Sequence, residues 1–208
     1  MSAAAIAGRL IAQRVVPVLR LPSAEETGQA VDGLADAGFR VFEITLTVPG
    51  AVGLIGELRR RFGAAATVGA GTVLDLPTAR QCVDAGAEFL VSPCLVAGLA
   101  ELAHESSCAA LVGGFTPTEV LAAHRSGADI VKVFPAASGG PAHLAALHSV
   151  FPDIALCPTG GVSADNLADY FAAGARLVGV GNNIVDRDAL RTGDRARFAA
   201  HARRFLDM

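Results

Sequence analysis

The chain has 208 residues, of which 52% are hydrophobic, and a formal net charge of -3. This length suits one domain with a sizeable buried core, which we expect to span residues 1–208. The pI near 5.9 gives no reason to expect nucleic acid or an anionic membrane as a partner. The sequence contains no run of eighteen apolar residues, so no membrane-spanning helix is predicted.

The N-terminal stretch from Met1 to Leu10 is alanine-rich, but it is short and Arg9 interrupts it. It is therefore a poor secretory signal and predicts a small helix ahead of the first strand. The cysteines are spread singly, without the CxxC spacing of zinc sites, which favours reduced thiols in a cytoplasmic protein. These four residues are Cys82, Cys94, Cys108 and Cys157.

A weak repeat runs through the chain: a helical pattern ends at a glycine, and an apolar strand follows. A glycine suits the left-handed residue after a helix C-terminus. The four glycines are Gly38, Gly86, Gly127 and Gly174, and the strands that follow are 40–44, 88–92, 129–133 and 176–180. The glycines lie 41 to 48 residues apart, which is the length of two strand–helix units rather than one.

The missing strands fall in the gaps, at 15–19, 66–70, 109–112 and 154–157. Eight strands alternating with eight helices predict an α/β chain that closes into a (β/α)8 TIM barrel, preceded by the short N-terminal helix. An open, doubly wound sheet is the alternative. It would carry a glycine fingerprint after the first strand, and the segment 19–23 has none.

Lys132 is the only lysine among seventeen basic residues, and it lies in the apolar run 130–134. Unlike arginine, a desolvated lysine can lose its proton, and its free amine can attack a carbonyl to form a Schiff base. The alternative is a lysine that reaches solvent from a strand end or pairs with a carboxylate.

Glu43 is likewise the ionisable residue of an apolar strand, and both strands are even-numbered. Side chains from alternate strands share a layer inside such a barrel, so we expect Glu43 and Lys132 to share one dry interior. The plain alternative is a structural ion pair in the barrel floor. Because both residues lie toward the C-terminal ends of their strands, where barrel chemistry is found, a catalytic pair is favoured.

Two glycine-rich turns follow the last two strands, at 159–163 and 179–183. Glycines let backbone N–H groups approach an anion, and phosphate sites of such barrels are common at these two loops. Arg20 and Thr72, after strands one and three, are candidates to hold a carboxylate. The five histidines all lie in helical or terminal stretches, so we expect no metal site and no histidine base.

Taken together, these segments resemble the 2-keto-3-deoxy-6-phosphogluconate (KDPG) and 4-hydroxy-2-oxoglutarate aldolase family. The matching segments follow in the family's order and span nearly the whole chain. They are 18–20, 43–49, 69–74, 92–93, 116–119, 132–136 and 158–162.

The resemblance implies a homotrimeric class I aldolase that needs no cofactor and acts on a small keto-acid sugar phosphate. It implies reversible cleavage of KDPG to pyruvate and glyceraldehyde 3-phosphate, with Lys132 forming the imine and Glu43 moving protons. It also implies a set of substrate contacts. These are Arg20 and Thr72 at the carboxylate, Pro93 and Phe134 around the imine, Thr159 at the sugar hydroxyls, and Gly160, Gly161, Gly181 and Asn182 at the phosphate.

The chain departs from the family at three places. Thr47 stands where some members carry arginine, so Arg20 must carry the anion contact, with Thr47 as a further candidate. Asn182 replaces a frequent serine, and the segment 113–115 lacks the usual Pro-Gly start. The alternative substrates are therefore 4-hydroxy-2-oxoglutarate and 2-keto-3-deoxy-6-phosphogalactonate. Alternatives of another class are a phosphate-binding isomerase or decarboxylase, and a non-catalytic sugar-phosphate binder.

Overall fold

The computed structural model describes residues 1–207 and contains eight strands. They are β1 Val15–Leu19, β2 Val41–Thr45, β3 Thr67–Gly71, β4 Phe89–Val91, β5 Ala109–Gly114, β6 Ile130–Val133, β7 Leu156–Pro158 and β8 Val178–Val180. All eight predicted strands are present. β1 matches its predicted bounds, while β2 and β3 each lie one residue further along the chain than predicted.

Helices alternate with the strands, and two helices follow β8. They are α1 Ala3–Gln13, α2 Ala24–Ala37, α3 Ala51–Phe62, α4 Leu76–Asp84, α5 Leu99–Glu105, α6 Pro117–Arg125, α7 Gly140–Val150, α8 Leu167–Ala172, α9 Arg187–Thr192 and α10 Arg195–Arg203. Short 3-10 turns lie at Gly63–Ala65, Ala136–Ser138 and Asn182–Ile184. None of the helices described is both long enough and apolar enough to cross a membrane.

The strands form a nearly closed parallel barrel, which confirms the predicted TIM barrel and excludes the open, doubly wound sheet. Each strand pairs with its neighbour in the chain from β1 to β7, and β1 pairs with β8. The last junction, between β7 and β8, is narrow: a parallel bridge joins Thr159 to Gly179. Next to it, Arg176 N donates to Leu156 O at 3.0 Å.

Local signals explain why these helices begin and end where they do. Ser23 accepts a hydrogen bond from Glu26 N and caps α2, and Thr116 and Glu119 form a reciprocal capping box on α6. The four repeat glycines all have φ between +95° and +117°, a region that side chains with a Cβ rarely enter. The repeat in the sequence therefore corresponds to four helix ends that each turn the chain into the next strand.

The barrel interior is apolar at one end and polar at the other. At the N-terminal ends of the strands, Val16, Phe89 and Ile130 pack with Ile6 and Leu10 of α1, which covers that end. At the C-terminal ends, the interior carries Glu43 and Lys132. The chemistry-bearing side chains therefore lie at the end of the barrel opposite α1.

Candidate active site

Lys132 and Glu43 face each other inside the barrel, as the alternation of β2 and β6 requires. Their side chains are 7% and 4% exposed, and Lys132 Nζ lies 3.8 Å from Glu43 Oε1. That separation is too long for a hydrogen bond, and Glu43 Oε1 accepts none from the residues described. The pair is thus electrostatically coupled, and one carboxylate oxygen remains available to a group bound between the two side chains.

Burial sets the protonation behaviour of Glu43. It raises the pKa of this carboxyl, while the positive charges of Lys132 and Arg20 oppose the shift without cancelling it. A carboxyl with a raised pKa exchanges protons nearer neutral pH than an exposed one, which suits general acid–base work. Glu43 can therefore both give and take a proton beside the amine.

The pair lies on the floor of a cavity of about 380 Å³, a volume typical of small-molecule sites. Ten of the twelve candidate residues line it. They are Arg20, Glu43, Thr72, Lys132, Phe134, Thr159, Gly160, Gly161, Gly181 and Asn182. The Phe134 ring covers one side of the amine, with Lys132 Nζ 5.5 Å from the ring centroid.

Arg20 and Thr72 lie on the rim of this cavity. Arg20 follows β1 and is exposed, so its guanidinium is accessible to a ligand in the cavity. Thr72 follows β3 with φ at +63°, a conformation that is unusual for a β-branched residue. Such a backbone costs about 1–3 kcal/mol and is often found at functional sites. These two residues can hold a carboxylate above the lysine.

The opposite end of the cavity consists mainly of backbone. Gly160 and Gly161 both have positive φ, and they approach the turn 181–183 across the narrow β7–β8 junction. Thr159 lies between this end and the amine and is buried. Backbone N–H groups of glycine turns suit an anion or a string of hydroxyl groups.

Two candidate residues lie outside the cavity lining. The Thr47 hydroxyl bonds to Thr45 Oγ1 at 2.8 Å, so this exposed side chain is tied to its own strand end. Pro93 packs its backbone against Gly113 and lines a neighbouring pocket of about 310 Å³, which meets the cavity at Phe134. As the structure stands, neither Thr47 nor Pro93 borders the space above Lys132.

Three lining residues were not anticipated from the sequence: Val18, Val162 and Asn183. Val18 pairs with Glu43 in the β1–β2 register, so the strand alternation that places Glu43 inside could have identified it. Val162 belongs to the predicted 159–163 turn. Asn183 belongs to the predicted 179–183 turn, but its bond to Val162 depends on the fold and could not be anticipated.

Cys157 lies beside Lys132 in the β6–β7 register but is not among the residues that line the cavity. Burial raises the pKa of its thiol to about 12, although the Thr159 hydroxyl and the Lys132 charge act in the opposite direction. The thiol therefore stays neutral near pH 7 and adds no charge to the Lys132–Glu43 pair. Within residues 1–207, no group of three or more His, Cys, Asp or Glu side chains is arranged to hold a metal ion.

Comparisons with a family model and with known proteins all point to one family of aldolases. The family model described as KDPG and KHG aldolase matches residues 6–201. A 2-dehydro-3-deoxy-phosphogluconate aldolase from Pseudomonas aeruginosa is 37% identical over 198 residues, which cover 93% of this chain and 88% of the relative. A probable 2-dehydro-3-deoxy-6-phosphogalactonate aldolase from Rhizobium meliloti is 35% identical, covering 86% and 85% of the two chains.

Among solved structures, the KDPG aldolase of Legionella pneumophila superimposes with a TM-score of 0.87 and 28% identity, covering 99% of this chain and 98% of that one. In that structure pyruvate is captured as a covalent carbinolamine intermediate. The barrel fold, the paired lysine and glutamate, and the family model that matches residues 6–201 all indicate the same family. The chain therefore belongs to the KDPG and KHG aldolase family.

Proposed function

We propose that the chain reversibly cleaves 2-keto-3-deoxy-6-phosphogluconate to pyruvate and glyceraldehyde 3-phosphate by a Schiff-base mechanism. The observation that carries the proposal is the buried Lys132 amine, 3.8 Å from Glu43 Oε1, on the floor of the cavity. The proposed steps use an amine, a carboxyl group and water, and they require no cofactor.

In the first half of the reaction, the Lys132 amine attacks the C2 carbonyl carbon of the keto acid. Glu43 supplies the proton with which the carbinolamine hydroxyl leaves as water, and an iminium forms. Glu43, now a carboxylate, removes the proton of the C4 hydroxyl. The C3–C4 bond breaks, its electron pair moves into the iminium to give an enamine, and the aldehyde departs.

In the second half, protonated Glu43 returns its proton to C3 of the enamine, which gives the pyruvyl iminium. Water adds to C2, and collapse of the carbinolamine releases pyruvate and the free amine. Microscopic reversibility makes the same residues form the bond in the condensation direction. Arg20 and Thr72 are proposed to hold the substrate carboxylate throughout, while Thr159 and the two glycine turns hold the hydroxyl groups and the phosphate.

A second candidate substrate is the galactonate epimer, because a relative with that name is 35% identical and one with the gluconate name is 37% identical. Both epimers, and 4-hydroxy-2-oxoglutarate, would use the same lysine and glutamate. The values of kcat/KM for the three keto acids, measured side by side, distinguish these substrates.

We further propose that the chain acts as one barrel domain in the cytoplasm and assembles as a homotrimer. Four free cysteines are consistent with a reducing compartment. Three exposed leucines, on the loops after β3 and β4 and at the start of α4, supply an apolar surface for self-association. They are Leu74, Leu76 and Leu95, which are 56%, 36% and 47% exposed.

Borohydride reduction in the presence of pyruvate tests the proposed chemistry. Peptide mapping should find the reduced pyruvyl adduct on Lys132, with only the Met1 amine as a competitor. Lys132→Arg should show neither adduct nor turnover. Arg60→Lys, which adds a lysine on the exposed face of α3, should label only at Lys132.

The opposite outcome would reject the aldolase mechanism. If folded wild-type protein forms no adduct while a known aldolase does, isomerase or decarboxylase chemistry, or ligand binding alone, becomes the better hypothesis. An adduct on the introduced lysine would show that labelling does not depend on the cavity.

A further inference from the structure

The end of the cavity away from Lys132 depends on the relative position of two loops. One loop, 159–163, follows β7, and the other, 181–186, follows β8. In the part of the chain described, the backbones of the strands that carry them are joined by the bridge between Thr159 and Gly179 and by the neighbouring Arg176–Leu156 bond. The sheet itself therefore provides little to hold these two loops in register.

Asn183 joins the two loops. Its side-chain Nδ2 donates to Val162 O at 2.9 Å, so an amide from the β8 loop satisfies a carbonyl of the β7 loop. Both residues line the cavity. A hydrogen bond in the wall of the cavity therefore holds the two turns next to each other.

Helix α10 contacts the backbone of Asn183 through His201. His201 of α10 is 2.8 Å from Asn183 O through Nε2. Because a carbonyl oxygen can only accept, His201 Nε2 must carry the hydrogen. The imidazole is half-buried and packs edge-on against Phe205, with 5.9 Å between ring centroids. This packing restricts the ring to an orientation that reaches the loop.

A second contact from the same helix face holds the far end of the loop. Arg197, four residues before His201, binds both carboxylate oxygens of Asp186, at 2.7 and 3.2 Å. Asp186 also accepts from Ala189 N and caps the N-terminus of α9. Residues four apart on a helix point the same way, so Arg197 and His201 together grip the segment 183–186 at its two ends.

The distribution of charge in the cavity makes these loop contacts relevant to anion binding. Among the cavity-lining residues described, the cations are Arg20 and Lys132, both near the amine end. An anion at the far end would thus be bound mainly by backbone N–H groups and amide side chains. Such contacts depend steeply on geometry, so small loop displacements weaken them.

From these contacts we infer that His201 and Asn183 are positioning residues for the phosphate end of the substrate. They act by holding the 159–163 and 181–186 loops together. The inference rests on the proposed function and deepens it: a helix outside the barrel sets the affinity for the phosphorylated half of the substrate, while the pyruvyl half depends on Lys132, Glu43, Arg20 and Thr72.

The test compares His201→Phe, His201→Gln and Asn183→Leu with wild type. For His201→Phe and Asn183→Leu, KM for KDPG should rise about tenfold, the equivalent of one hydrogen bond of about 1.4 kcal/mol. The value of kcat should change less than about threefold. His201→Gln keeps a side-chain N–H that can donate to the carbonyl, so this variant should retain most of the affinity.

The matched control is His104→Phe, which removes a histidine that bonds to Asp129 Oδ2 at 2.9 Å near the start of β6, away from the cavity. It should lower the melting temperature about as much as His201→Phe does and leave KM unchanged. The rate of borohydride trapping with pyruvate should stay close to wild type in His201→Phe. A rise in KM that accompanies an equal loss of trapping would show a general structural role and would overturn the inference.

A binding measurement separates this inference from the proposed function. Inorganic phosphate that binds the native state should raise the melting temperature of wild type, and should do so less for His201→Phe than for His104→Phe. Equal phosphate stabilisation in the two variants, or an unchanged KM in His201→Phe, rejects the positioning role. Failure of wild type to trap pyruvate instead rejects the aldolase chemistry, and the phosphate measurement still decides the role of His201.

Discussion

Glu43 combines two properties that a residue chosen only for stability would not have. It is buried, and its Oε1 accepts no hydrogen bond from the residues described. A buried oxygen without a partner typically destabilises the folded state by about 1–3 kcal/mol. Because the raised pKa means that the folded protein binds the Glu43 proton more tightly than the unfolded chain does, this group favours folding at low pH. That contribution is lost as the pH rises through the raised pKa.

Glu43→Gln should lower kcat/KM for KDPG by about 10²- to 10⁴-fold, because the amide can neither take nor return a proton. In the active form Glu43 is a carboxylate beside the charged Lys132, and proton transfer from Lys132 to Glu43 supplies both the free amine and the acid of the first step. Activity should therefore rise with pH through the raised pKa of Glu43. The acidic limb of the kcat/KM profile should therefore lie above the ordinary glutamate pKa of about 4.3.

That acidic limb should be missing from the residual activity of Glu43→Gln. The control is Glu25→Gln, an exposed carboxylate of α2, which should retain both the rate and the limb. Persistence of the limb in Glu43→Gln would assign it to another group and would argue against Glu43 as the base.

Single residues differ in how far the sequence alone could locate them. Lys132 and Glu43 could be predicted to meet because each interrupts an apolar strand and strand alternation decides which way each points. Thr47 could not be placed in the same way, since its orientation depends on a bond to the Thr45 hydroxyl. Asn183 could not be recognised either, because the contacts that give it a role come from Val162 and His201, both distant in the chain.

At the scale of one element, strand β3 shapes the site because two of its residues are glycines without side chains. It reads Thr67-Val68-Gly69-Ala70-Gly71. A Cβ at Gly69 would overlap the Phe89 ring, and a Cβ at Gly71 would stand 2.7 Å from Glu43 Cγ. The first glycine makes room for a core aromatic residue, and the second makes room for the catalytic candidate.

These two glycines predict opposite outcomes for the same substitution on one strand. Gly71→Ala should displace the Glu43 carboxylate and lower kcat about 10²-fold, with a melting temperature close to wild type. Gly69→Ala should displace Phe89 and lower the free energy of unfolding by about 1–3 kcal/mol, with a smaller effect on kcat. Denaturant unfolding and steady-state kinetics on both variants check the pair. Similar kinetic losses in both would show that β3 acts only as a framework.

The elements themselves could be predicted well because four glycines mark the ends of helices before four of the strands. The bounds were less predictable near the β7–β8 junction. There the expected strands 154–157 and 176–180 are observed as Leu156–Pro158 and Val178–Val180. These segments are apolar enough to resemble longer strands. Near their starts, Arg176 N donates to Leu156 O and Val131 N donates to Ala155 O, but these single bonds do not extend into the regular pairing of a strand.

At the scale of the whole molecule, apolar surface is distributed unevenly. Leu74 and Leu95 lie on loops at the C-terminal ends of the strands, where a soluble monomer would expose polar residues. Wild type should sediment with three times the 21.1 kDa of the chain. Leu74→Glu combined with Leu95→Glu should dissociate it, because charges would have to be buried at the interface.

Val150→Glu is the matched control for that experiment. Val150 is 65% exposed at the end of α7, so this substitution also places a glutamate at an exposed apolar position, without touching the leucine surface. It should leave the sedimentation coefficient unchanged. A wild-type chain that sediments as a monomer would reject the trimer, and a trimer insensitive to the double substitution would place the interface elsewhere.

The solitary lysine has a consequence for reagents as well as for substrates. Most proteins carry many exposed lysines, so an acylating or reductively alkylating compound is consumed at the exterior. Here the only lysine ammonium is 7% exposed and lies at the base of the cavity. Reductive alkylation is selective for amines, so apart from the terminal amine it can modify the chain only at Lys132. Loss of activity should then be proportional to the label that peptide mapping finds on Lys132, which gives a direct count of functional sites in any preparation.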